Sequence, residues 1–335
     1  MNKLMHWWRG TLNPDLFHGH GHKPPFFEGW YYKLIDESTR HKWGIIPGVF
    51  KGNDPHAFMQ VMNGSTSQTW YHRFPLDEFR AEHDRFEISV GRNRFTADEI
   101  HLDLERPEQT LQGALLFTGK NPWPVRLTSP GIMGWYAWVP TMECYHGVVS
   151  LDHAIQGALT FDGQPINFNN GRGYIEKDWG QSFPSAWIWM QSNHFETPGT
   201  SLTASIAMIP WRKTRFKGFI VGLWLQGKLY RFATYTGAWT VSLSVDDRRV
   251  EWVLRGTTQG ALHTLHIVAR RGEAGLLAGP STLDMGKRVA ETLTAELAVR
   301  LERTVSGHQQ VLFVGNGSHA GLEVHNVLEE LVGGE

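Results

Sequence analysis

Cysteine is almost missing from this chain of 335 residues. Cys144 stands alone, so neither an intrachain disulfide nor a cysteine-rich zinc site can form, and a reducing compartment fits. Charge of one sign is lacking too. Lys and Arg number 32 against 33 Asp and Glu, a formal net charge of -1, which leaves no basic field for a phosphate backbone and makes nucleic acid an unexpected partner. The opening Met1-Asn-Lys-Leu-Met-His-Trp-Trp-Arg9 has no apolar run of the kind a secretory signal needs, so a cytoplasmic location is expected. Uncharged stretches at 127–142 and 197–211 are broken by Gly, Pro and hydroxyl residues and fall short of the roughly 18–20 apolar residues of a bilayer span. No span is expected, and peripheral contact with a membrane surface stays open. Neither a Walker loop nor a Gly-x-Gly-x-x-Gly fingerprint occurs, so no nucleotide is implied.

What is present is a globular composition, 41% hydrophobic and 19% charged, with 36 Gly and 16 Pro to make many turns. Apolar and polar residues alternate over 202–208, 238–245 and 250–254, the period of strands with one buried face. The run 218–226 ends in Gly227-Lys228 and leads into 229–234, which reads as a hairpin. Residues 291–303 alternate without a break and are expected as strand, although their composition favours helix. The first half repeats the habit at 30–35, 58–62, 86–90, 100–104 and 111–118, and no long 3.6-period pattern competes. The fold class is therefore all-β, antiparallel barrels or sandwiches with little helix. A single core saturates near ~250–300 residues, so two domains are expected, 1–165 and 166–335, divided in the polar loop 162–171.

Three segments concentrate Trp, Tyr and ionisable groups: Phe26 to Lys33, Gly134 to Gly147, and Gly173 to Asn193. Strand parity puts Glu28, Trp30 and Tyr32 on one face, Glu176 and Asp178 on a face opposite Lys177, and Trp187, Trp189, Gln191 and Asn193 together. Such faces suit the wall of a pocket for a large apolar ligand, and equally suit ordinary core and cross-strand packing. Lys177 is expected to serve structurally, strand twist permitting a pair with Glu176 or Asp178. His18-Gly-His-Gly-His22 would offer three imidazoles on one side of an extended chain, but no carboxylate spacing supplies a fourth ligand, and no metal is expected. Ser150, Asp152 and His153 look like triad members, yet adjacent residues on one strand point to opposite faces and cannot line up as nucleophile, base and orienter, so no triad is expected.

These segments resemble the tocopherol cyclases of plants and cyanobacteria and their bacterial relatives. The resemblance runs through Phe27-Glu-Gly-Trp-Tyr31, Gly134-Trp-Tyr-Ala-Trp-Val-Pro140 with Glu143, Glu176-Lys-Asp-Trp-Gly-Gln-Ser-Phe-Pro184, Trp187-Ile-Trp-Met-Gln-Ser-Asn193 and Ala320-Gly-Leu-Glu-Val324. It implies two lipocalin-like β-barrel domains packed together, and closure of a chromanol ring on a prenylated hydroquinone without a cofactor. That chemistry needs an acid in an oily pocket to protonate an alkene, and a phenol oxygen to capture the cation. Glu176 and Asp178 rank first as acids, with Glu143 and Glu28 as partners that hold or deprotonate the phenol. Trp30, Tyr32, Trp135, Trp138, His146, Lys177, Trp179, Trp187 and Trp189 would line the substrate site, and Gln191 and Asn193 would bind the hydroquinone oxygens. Hydration of an isoprenoid alkene, or simple carriage of a hydrophobic isoprenoid or quinone, remain the alternatives.

Overall fold

The computed structural model describes residues 3–332. They form two compact units: the described residues up to Phe183 with Leu276–Arg288, and Pro184–Gly275 with the described residues from Val289. Each unit is built on one antiparallel sheet, and the chain is all-β as its alternation predicts.

In the first unit the path across the sheet runs Gln68–Phe74, His56–Asn63, Lys42–Lys51, Phe26–Ile35, Gly171–Gly180, Cys144–Phe161, Gln109–Thr118, Glu99–Arg106, Asn93–Thr96, Glu87–Val90, Phe79–Ala81. Met59 and Val61 near one end share a core with Ile88 and Val90 near the other, so the sheet curls around its own apolar centre. The second unit runs Lys228–Ala233, Thr214–Leu225, Ser201–Trp211, Trp187–Ser192, His308–His325, Lys287–Val305, Ala261–Arg270, Arg249–Thr258, Trp239–Val245. Phe219 and Trp252, from strands well apart on that path, meet edge to face with centroids 5.8 Å apart and close its core.

The doubtful stretch 291–303 lies inside the strand Lys287–Val305, where burial of alternate residues outweighs its helical composition. Lys228–Ala233 completes the expected hairpin. The division between units falls after Phe183, downstream of 165/166, because Gly171–Gly180 is bonded on both sides to first-unit strands. A helix, Lys3–Leu12, was not foreseen at the start. No helix among the described residues is long and apolar enough to cross a membrane.

Candidate active site

The strand Gly171–Gly180 lies between Phe26–Ile35 and Cys144–Phe161, and its register sorts the ionisable groups onto two faces. Lys177 stands opposite Trp30 on one side and Gly147 on the other, while Asp178 stands opposite His146. Residues directly opposite in an antiparallel pair share a face. Glu28, Trp30, Tyr32, Lys177 and Trp179 therefore point one way, and Tyr174, Glu176, Asp178 and His146 the other.

The first face belongs to the core. Trp30 and Tyr32 are fully buried there, with the Tyr32 hydroxyl donating to the Thr96 carbonyl at 2.8 Å. The Lys177 ammonium is paired with Glu28 rather than with Glu176 or Asp178, because alternation turns it away from both. It also donates to the Leu16 carbonyl at 2.7 Å and lies 4.7 and 4.8 Å from the Trp30 and Trp179 ring centroids. His18 completes the arrangement: its backbone N–H donates to Glu28 at 2.9 Å, Nδ1 lies 3.2 Å from Glu28, and its ring stacks on Trp179 at 4.1 Å. Burial pushes the Glu28 carboxyl up, but the Lys177 charge and the His18 bond more than offset it and hold it below the usual range. Burial depresses Lys177, and Glu28 restores it only in part. Glu28 is thus ionised and committed to two cation-capable partners.

The second face carries a different constellation. His146 sits across from Asp178 and diagonally from Glu176, a spacing within reach of a long side chain. Its Nδ1 lies 2.9 Å from Asp178 Oδ1 and its Nε2 3.5 Å from Glu176 Oε2. The buried Tyr174 hydroxyl donates to the same Glu176 oxygen at 2.5 Å. The Glu176 side chain is 7% exposed, His146 15% and Asp178 29%, a gradient from dry to wet along one row of titratable groups. Beside the row the face turns apolar: Phe27, Phe50 and Phe58 cluster with Cys144 and Phe183. Glu143 is half-buried, and burial raises its carboxyl while Lys287 lowers it in part.

His146, Glu176 and Asp178 offer three ligand atoms within 4.8 Å of one another, a donor set that could hold a cation. The three imidazoles of 18–22 do not converge. His18 is on Glu28, His20 stacks on His83 at 3.8 Å, and His22 packs near Phe26, because the segment is loop rather than strand. Bulges at 148–153 rotate the chain so that Ser150 and His153, expected to diverge, meet at 3.0 Å, while Asp152 pairs with Arg172 instead. Parity reasoning fails there, and a Ser-His-Asp triad is still not formed.

Trp135 is exposed and Trp138 packs against Trp7 and Trp8. In the second unit Trp187, Trp189 and Gln191 are buried on the sheet face opposite the Ile188 and Met190 core, with Asn193 following. Trp187 stacks on His325 at 4.2 Å and donates to Glu323 at 2.6 Å. Sequence reading missed Tyr174, which shares the parity of Glu176 and could have been found. His18, read only as one of the three imidazoles of 18–22, reaches Glu28 without any local signal, and Glu323, within Ala320-Gly-Leu-Glu-Val324, was missed as the partner of Trp187.

The family model described as tocopherol cyclase-like matches residues 121–326. The chain belongs to the tocopherol cyclase-like family. That match takes in the strands bearing Glu176, Asp178 and His146, and leaves out the strand bearing Glu28. The probable chloroplastic tocopherol cyclase of Oryza sativa subsp. japonica is 28% identical over 199 residues, and the chloroplastic tocopherol cyclase of Zea mays 28% over 201. Each alignment covers 57% of this chain but only 41% of the relative, so the chain spans about two fifths of the curated relatives it matches. Among solved structures, CghA alone (TM-score 0.56, 90% of this chain and 88% of that one) and CghA with Sch210972 (0.54, 90% and 89%) are each 11% identical and share the fold.

Proposed function

We propose that the chain is an intramolecular cyclase that closes a chromanol ring on a prenylated hydroquinone, with Glu176 as the acid. The observation that carries this reading is the imidazole of His146 set between two carboxyls, inside the region matched by the tocopherol cyclase-like family. Ring closure is an isomerisation, so every proton delivered must be recovered. Glu176 gives its proton to the alkene carbon, the phenol oxygen bonds to the tertiary cation that results, and the phenolic proton leaves to Asp178 or to solvent through it. His146 then carries a proton from the Asp178 end to the Glu176 end, restoring the acid without any added reagent. Glu176 suits the acid role because it is the drier carboxyl and Tyr174 fixes its direction. Holding the phenol near the alkene supplies the larger share of catalysis, up to ~7–11 kcal/mol in favourable geometry.

The test is incubation of the purified chain with a reduced prenylated hydroquinone in D2O, followed by chromatography and mass spectrometry. Cyclisation gives an isomer with shifted retention carrying one carbon-bound deuterium. A product heavier by one water would make the chain a hydratase, and recovered substrate would make it a carrier. Either result overturns the reading.

A further inference from the structure

The first unit carries a surface that its core does not explain. On the helix Lys3–Leu12, Trp7 and Trp8 are 37% and 49% exposed, although Trp side chains usually find cover. Trp138 lies against both, with centroids 5.4 and 4.6 Å away, and its indole N–H donates to the Leu127 carbonyl at 2.9 Å. Leu127 is 59% exposed, and Trp135, in the same short turn as Trp138, is 44% exposed. Of the four tryptophans counted as exposed among the described residues, three are therefore here; the fourth is Trp239.

Charge along these segments is one-sided. Residues 1–14 and 119–142 contain Lys3, Arg9, Lys120 and Arg126 and no Asp or Glu, in a chain that is about one-tenth Asp and Glu. Lys120 is turned to Asp98 at 2.5 Å, and Arg9 reaches the Asp84 carbonyl, whereas Arg126 stands exposed beside Leu127. Tryptophan is the residue that settles at the boundary between water and lipid, and basic groups beside it complement anionic headgroups.

We propose that this tryptophan surface docks the protein onto an anionic lipid bilayer, with Trp7, Trp8 and Leu127 entering the headgroup region and Arg126 facing lipid phosphates. It does not rest on the cyclase reading: a chain that binds vesicles and cyclises nothing keeps this inference and loses that one. The test is flotation of the full chain with vesicles of phosphatidylcholine alone and with equimolar phosphatidylglycerol, with brominated lipid as a depth probe. The protein is expected to float with the anionic vesicles, less with raised salt, and to have its fluorescence quenched. Trp8→Ser with Leu127→Ser should lower the partition about tenfold or more with the circular dichroism spectrum unchanged, and Arg126→Glu should lower it on anionic vesicles only. No flotation, unaltered binding by the folded double variant, or a dimer in light scattering that the double variant disperses would each overturn the proposal.

Discussion

In the proposed cyclase Glu176 is the acid, and its surroundings separate it from the other three carboxyls read from the sequence. Glu28 holds a charge that Lys177 and His18 secure, Glu143 is half-buried and answers to the Lys287 charge, and Asp178 is the wet end of the His146 row. Glu176→Gln keeps the shape and the Tyr174 contact but has no proton to give. Its turnover should fall by about 10²–10⁴ while KM stays within a few fold, read by steady-state kinetics. Equal loss in both constants from a folded variant would make Glu176 a binding group. Tyr174 acts through Glu176, so Tyr174→Phe should lower kcat by roughly tenfold or less, leave KM alone and shift the pH profile of kcat. A variant with an unmoved profile would reduce Tyr174 to packing. The pairing of Glu176 with Asp178 was legible because period two alone puts them on one face. That His146 would stand between them was not, because register across strands is set by distant pairing.

At the scale of elements, the Gly171–Gly180 strand is the organising piece, since it carries one member of the Lys177–Glu28 ion pair on one face and the Glu176–Asp178 pair with its His146 contacts on the other. Its partner Phe26–Ile35 is more than 130 residues away in sequence, which is why the Lys177–Glu28 pair could not be foreseen although each residue had been singled out. Both side chains are wholly buried, and removing one partner leaves the other as an uncompensated charge. Lys177→Met alone should cost about 3–5 kcal/mol in urea unfolding, and Glu28→Gln a comparable amount. The double variant should be more stable than the sum of the two losses predicts, and additive losses would show that the pair is not a unit. Alternation found the strands in both halves because burial on one face imposes period two. It misjudged Ser150 and His153 because a bulge resets parity, and no residue type in 148–153 announces one.

For the whole molecule, the bulge leaves a mark on acid stability. His153 is enclosed by the first-unit core, its Nδ1 on Ser150 and its ring against Gly173, where a Cβ would come within 2.2 Å of Nε2. Burial, together with the charges of Lys120 and Arg172, drops its pKa from 6.5 to about 3. The folded state therefore keeps His153 neutral while the unfolded chain takes up a proton below about pH 6.5. The unfolded state binds more protons in that window, so the stabilisation is complete above pH 6.5 and is lost progressively as pH falls toward 3. His18, also lowered chiefly by burial, adds loss of the same sign, whereas the raised, half-buried Glu143 works weakly the other way. Between pH 7 and pH 5 the shift of His153 alone corresponds to about 2 kcal/mol. Urea unfolding at both pH values should show the wild type losing at least that much, and His153→Asn losing about 2 kcal/mol less between the same two pH values. Comparing each protein with itself cancels whatever the substitution costs at neutral pH. An unchanged difference in the variant would mean that the acid sensitivity resides elsewhere, with His18 the next group to substitute.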